Sequence, residues 1–216
     1  LCGGLLFSQP GIIYASENTA AQVTAAPEHS STYSQAADTD SIKGWPAGPN
    51  IEGESAVLMD AVTDTVLYSK NADNKLYPAS ITKIMTALLV CENLDMNDSL
   101  TMSEAAAYGI EAGSSTIYGD AGEVFTVEQC LMALMLESAK EMALGIGEEV
   151  SGSVKKFVEL MNTRAQQLGC TNTHFNNPNG LPDETHVTTA NDMAKIAKAA
   201  WQNATCRKFF TTDLYE

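Results

Sequence analysis

Basic residues are scarce in this chain of 216 residues: 12 Lys and Arg stand against 27 Asp and Glu, a formal net charge of −15. The densest basic run is only Lys155-Lys156. Such a balance excludes a surface built for nucleic-acid phosphates or for anionic lipid. Cysteine is also sparse, five in all (Cys2, Cys91, Cys130, Cys170 and Cys206), with no C-x-x-C pair and no histidine at metal-ligand spacing. That density does not predict a disulfide framework, and Cys91 and Cys130, which fall on apolar helical patterns, read as buried thiols. Long apolar runs are lacking as well. Past the first residues nothing reaches the roughly 18 apolar positions of a membrane span, and no internal repeat is evident.

What is present divides the chain into three parts. LCGGLLFSQPGIIYASEN, at the start, has the apolar run and small residue of a secretory signal's tail, so residues 1–15 read as a signal remnant with Ser16 following the cut. This points to an exported protein. Residues 16–50 are rich in Ser, Thr, Ala, Gln, Asp and Pro and have almost no large aliphatics. A segment of that kind buries too little to offset its ordering entropy, and a flexible linker is expected. From residue 51 to 216 the texture is that of a folded domain. SAVLMDA and TVLYSK predict an antiparallel hairpin turning at Asp64.

Helical periodicity dominates the rest. Ile81, Ile84, Met85, Leu88 and Leu89 form the stripe of a helix buried on one face. Thr126 and Gln129 make a capping-box pattern ahead of Leu131, Leu134 and Met135. Val154, Phe157, Val158, Met161 and Leu168 form another stripe, stopped by Gly169. Thr189 with Asp192 predicts a further N-cap. HFNNPNGLPDETHV is a loop, in which Asn177, Asn179 and Gly180 read as turn residues of positive φ. The pattern is thus a hairpin followed by about five helices, without further convincing strands.

The chemically pointed stretch is YPASITKIMTALLV, residues 77–90. Ser80 and Lys83 are three apart at a helix start, behind Pro78, so hydroxyl and amine share a face. A serine hydroxyl becomes nucleophilic when a neighbouring base takes its proton. A lysine pushed by apolar surroundings toward its neutral form can be that base. The pair therefore suits acyl transfer. A second Ser-x-x-Lys, Ser153 to Lys156, is read as chance, because Lys155 and Lys156 oppose the apolar side of their helix and face solvent.

YPASITKIMT resembles the active-site serine motif of the low-molecular-mass penicillin-binding proteins, the D-alanyl-D-alanine carboxypeptidases, and the likeness runs from about Ser55 to Trp201. It includes the segment GSSTIYGDAGEVFTVEQCLMALMLESAKEMALGIGEEVSGS and the loop that follows. The resemblance implies an α+β fold of the β-lactamase/transpeptidase kind, here an N-terminal hairpin plus helical subdomain, with the later strands of a five-stranded sheet missing from the chain. It also implies Ser80 as nucleophile, Lys83 as base and Ser138 as proton relay. Lys140 stands where the family's Ser-x-Asn motif has its asparagine, and the family's Lys-Thr-Gly has no match after Ser138.

The implied activity is removal of a terminal D-Ala from peptidoglycan pentapeptides through an acyl-enzyme on Ser80. β-Lactam antibiotics would act as trapping ligands, no metal or organic cofactor would take part, and any membrane association would come from a segment outside this chain. Two other readings stay open: a β-lactamase, with Asp183 and Glu184 near the place of a deacylating acid, and a non-catalytic peptidoglycan-binding relative. Among the remaining polar residues, His174 reads as a loop-fixing residue rather than a site histidine, while His29 and His186 carry no signal. Met85, Met132, Met135 and Met142 read as core filling. Glu137, Glu141, Glu148 and Glu149 read as a solvated face, with Glu137 spaced to pair with Lys140.

Overall fold

Two short apolar-rich runs on either side of a six-residue turn give the hairpin β1 (Ala56–Met59) and β2 (Val66–Lys70). The strands pair antiparallel, Ala56 opposite Lys70, with an irregularity between Leu58 and Met59. Asp60 closes the turn. Its Oδ1 accepts from the Val62 and Thr63 amides at 3.1 and 2.7 Å, and Asp64 adopts the left-handed φ of 60° that short polar side chains tolerate. These strands belong to a computed structural model that describes residues 31–215. The expected signal remnant and residues 16–30 of the expected linker lie outside the described residues.

The later part of that linker packs on the sheet instead of standing free. A 3₁₀ turn at Asp38–Ser41 lies on β2 and buries Thr39. The Trp45 indole donates to the Leu67 carbonyl at 2.9 Å, and the Tyr68 hydroxyl to the Pro49 carbonyl at 3.2 Å. Lys70, with no exposed surface, donates to the Ile51 carbonyl at 2.8 Å. Composition alone missed this because the anchoring is done by single aromatic and backbone groups, not by a run of aliphatics.

The helices are α1 (Lys83–Asn93), α2 (Glu104–Tyr108), α3 (Val127–Leu136), α4 (Lys140–Ser151), α5 (Val154–Gln167), α6 (Ala190–Gln202) and α7 (Ala204–Phe210). The capping box at Thr126 and Gln129 forms as its spacing predicts. Thr189 caps α6 through the Asp192 amide, and Gly169 ends α5 with φ 76°. A second ribbon pairs β3 (Ser99–Thr101) with β4 (Val124–Thr126), where no strand is expected from the sequence. Strands of only three residues carry no readable alternation; tertiary context makes them.

α1 is the axis of the fold. It touches α3, α4, α5, α6 and α7, and Met85 to Val90 are buried without a break. The expectation of one buried face is thus corrected to burial all round, except that Ile81, before the helix proper, is 48% exposed. α6 supports β1 on one side, while β3 lies against α4 on the other. The methionines read as core sit in or against this core, and Cys130, Cys170 and Cys206 are buried in it as free thiols. Cys91 is only partly buried, and Cys206 beside it, together with burial, pushes its thiol pKa up. Among the described residues no helix is long and apolar enough to cross a membrane.

Leu88 lies at the centre of this axis with 1% exposure. Its truncation to Ala removes the contacts of a fully buried side chain and leaves a cavity between helices. We expect Leu88→Ala to lower unfolding free energy by about 2–5 kcal/mol, measured by urea titration at unchanged m-value.

Candidate active site

The turn before α1 is shaped by Pro78 and by a backbone that most residues avoid. Ala79 has φ 49°, and the chain then winds through a 3₁₀ turn, Ala79–Thr82, before α1 begins at Lys83. In a 3₁₀ turn residues i and i+3 nearly eclipse, so Ser80 and Lys83 meet more directly than on an α-helix. Ser80 is exposed; Lys83 is 3% exposed. The Lys83 ammonium reaches Ser80 Oγ at 3.1 Å.

Ser138 arrives from a different part of the fold. α3 ends at Leu136, and the chain reverses through Ser138 at φ 60° while the Ala139 amide donates back to the Ala133 carbonyl at 3.2 Å. Helix ends of this kind usually place glycine at the left-handed position. A serine kept there bears a conformational cost of the sort found at functional sites. Its Oγ lies 3.1 Å from Lys83 Nζ, so one amine holds both hydroxyls. Burial pushes the Lys83 pKa down to about 8, and the charge of Lys140 adds to the effect. The structure thus brings Ser80, Lys83 and Ser138 together, with Lys140 electrostatically close.

Lys140 opens α4. Its amide donates to the Ser115 carbonyl at 3.0 Å and its ammonium to Ser114 Oγ at 3.2 Å. It does not pair with Glu137, which stands exposed at the end of α3. Glu141 corrects the expectation of a solvated acidic face: it is fully buried, and its Oε1 accepts from Thr116 Oγ1 at 2.6 Å and from the Ile117 amide at 2.7 Å. Its Oε2 has no partner. Glu148 likewise accepts from Ser103 Oγ at 2.6 Å. Both carboxylates fasten neighbouring segments to α4.

The loop after α5 braces the Ser80 turn. Leu76 and Thr188 exchange two backbone hydrogen bonds of 2.9 Å, and Thr86 Oγ1 donates to the Pro178 carbonyl at 2.7 Å. Gly180, at φ 82°, presses its backbone so near Ala79 that a β-carbon there would stand 2.0 Å from the Ala79 carbonyl oxygen. Asn177 and Asn179 were expected with positive φ as well. Only Gly180 adopts it, and Asn177 instead uses its side-chain oxygen to accept from the Gly180 and Leu181 amides. His174 is exposed and bridges Val187 through backbone groups alone, as a loop residue.

His186 is the residue that sequence reasoning missed. It is 2% exposed, and its Nδ1 accepts from the Asn176 amide at 3.0 Å. The proton therefore resides on Nε2, which donates to Thr82 Oγ1 at 2.8 Å, between Ser80 and Lys83 in sequence. A single histidine in a polar loop has no periodicity to announce it.

Solved structures with related coordinates give the class of fold. Penicillin binding protein 6B from Escherichia coli superposes with a TM-score of 0.76 at 26% identity, over 81% of this chain and 58% of that one. A serine-to-alanine mutant of the Streptomyces K15 DD-transpeptidase gives 0.71 at 33% identity, over 75% of this chain and 66% of that one. The fold is therefore the α+β penicillin-binding/transpeptidase fold. The family model described as D-alanyl-D-alanine carboxypeptidase matches residues 43–216, and the chain belongs to that family. Curated relatives include the D-alanyl-D-alanine carboxypeptidases DacF of Bacillus subtilis, 42% identical over 170 residues, and DacC of Escherichia coli, 35% identical over 159. The match spans 76% and 70% of this chain but only 42% and 40% of those relatives.

Burial lowers the His186 pKa from its ordinary 6.5, Asp183 opposes the shift and His174 adds to it. The folded protein therefore keeps this ring neutral where the unfolded chain would protonate it. The stability so gained is complete above pH 6.5 and is lost as pH falls below that value. In urea titrations between pH 7.5 and 5, His186→Gln should show a shallower loss of stability than the unaltered protein.

Proposed function

We propose that this chain carries the nucleophile and relay walls of a serine D-alanyl-D-alanine carboxypeptidase site. The observation that carries the reading is the Lys83 amine, buried and 3.1 Å from both Ser80 Oγ and Ser138 Oγ. In its neutral form Lys83 accepts the Ser80 proton as Oγ attacks the carbonyl between the last two D-Ala residues of a peptidoglycan pentapeptide. Ser138 bridges the protonated Lys83 to the departing amine, which leaves as free D-Ala. Water then attacks the acyl-Ser80 ester, and the proton path runs in reverse. A β-lactam amide follows the first half of this route and remains as a penicilloyl ester.

The names of the relatives support the substrate class, and a cell-wall peptide as substrate implies an extracytoplasmic site of work. The K15 relative is a DD-transpeptidase by name. A β-lactamase reading is less favoured: Asp183 Oδ1 is already engaged by the Thr185 amide and hydroxyl and by Asn176 Nδ2, and its pKa is held down by those bonds. A non-catalytic binding role leaves the Ser80–Lys83–Ser138 contacts and the two left-handed residues that hold them without a purpose.

The test is intact-mass spectrometry of the full gene product after exposure to benzylpenicillin. One penicilloyl mass should add, and Ser80→Ala should abolish it. Because neutral Lys83 is the active form, the rate should rise with pH to a plateau, with its midpoint near the Lys83 pKa of about 8. Absence of acylation in a folded protein would overturn the reading.

A further inference from the structure

Beside the Ser80 turn stands one charge that the scheme above does not use. Lys140 is partly buried, and its single side-chain partner is the neutral Ser114 hydroxyl. An ammonium has three donors, so donor capacity remains. Four cations of the described chain are held by carboxylates: Arg164 pairs with Glu92, Lys195 with Asp192, Lys198 with Asp64 and Lys208 with Glu128. No carboxylate is paired with Lys140 among the described residues, although acidic groups outnumber basic ones 27 to 12.

The two acidic neighbours in sequence do not neutralise it. Glu137 stands exposed at the end of α3, and Glu141 is turned into the core to hold Thr116 and Ile117. Lys140 also lies close enough to Lys83 for its charge to be felt there. Two like charges in a partly desolvated site repel, and an anion that joins them relieves the repulsion. Ser114, pinned to α4 through the segment that Glu141 grips, can accept from Lys140 and turn its own proton toward such an anion.

We propose that Lys140 is a specificity residue that receives a carboxylate borne by the acyl-donor part of the substrate. This inference rests on the acylation of Ser80 proposed above. The carboxylate meant is not the C-terminal one, which departs with the leaving residue. It belongs to the portion that stays on Ser80, so the site favours donors with a free carboxylate near the scissile carbonyl over the same donors without it. A neutral amide at position 140 would make no such distinction.

The test compares two penicillins that differ by a single carboxylate, benzylpenicillin and α-carboxybenzylpenicillin, by their second-order rates of acylation of the full gene product. The ratio of carboxylated to plain compound should be about tenfold higher in the unaltered protein than in Lys140→Asn or Lys140→Gln, the scale of a charge-assisted hydrogen bond. Lys140→Arg should retain the preference, and added salt should weaken it. Each ratio is taken within one protein, so a partly folded variant still reports. A ratio unchanged by Lys140→Asn and Lys140→Gln, with both penicillins still acylating, would overturn this inference alone. No acylation by either penicillin in any of the proteins would overturn the carboxypeptidase reading and this inference with it.

Discussion

A lysine taken almost wholly out of water must find partners for its charge or shed it. Lys83 is 3% exposed and meets two hydroxyl oxygens, with no carboxylate paired to it among the described residues. Hydroxyls hold an ammonium less strongly than a carboxylate does, so burial prevails and the neutral amine becomes accessible near neutral pH. A glutamate in the position of Ser138 would secure the charge and keep the amine protonated. Much of the surrounding structure can be understood as keeping these three groups within hydrogen-bonding reach.

That arrangement draws on three separate segments. α1 supplies Lys83 and is gripped by five other helices, so the amine sits on the most rigid element of the fold. Ser80 depends on a 3₁₀ turn entered through Ala79 in a left-handed conformation, and Gly180, His186 and Thr188 press against that stretch from the loop after α5. Ser138 depends on the reversal between α3 and α4. Non-glycine residues at left-handed φ are strained unless the surroundings determine them fully. Here Ala79 faces the Gly180 backbone, and Ser138 is followed by the buried Ala139, whose amide caps α3.

Legibility in the sequence followed the kind of force involved. Periodic burial announced α1, α3, α5 and α6, and side-chain capping announced two of their starts, because both are local and repeat on a fixed spacing. The Ser80–Lys83 pair was legible for the same reason. Ser138, 55 positions away from Lys83, was reached through family resemblance, since no spacing rule connects residues so distant. His186, the inward turn of Glu141 and the packing of residues 38–51 on β2 were not legible. Each rests on single polar groups meeting partners distant in sequence, tertiary contacts with no pattern along the chain. The short β3–β4 ribbon was missed similarly, its strands being defined by each other.

The resulting site gathers two lysines in a strongly acidic chain. Lys83 and Lys140 lie on separate helices, and among the described residues no carboxylate is paired with either. That contrast links the low basicity of one lysine to the unused donor capacity of the other. The central claim, that Lys83 is held close to its neutral form, is tested most directly by an NMR titration of its ¹⁵N-labelled amine, assigned with Lys83→Arg. A midpoint near pH 8 is predicted, against the ordinary 10.5. A midpoint at or above 10 in the folded protein would mean that the amine stays charged at working pH, and Lys83 could not be the base.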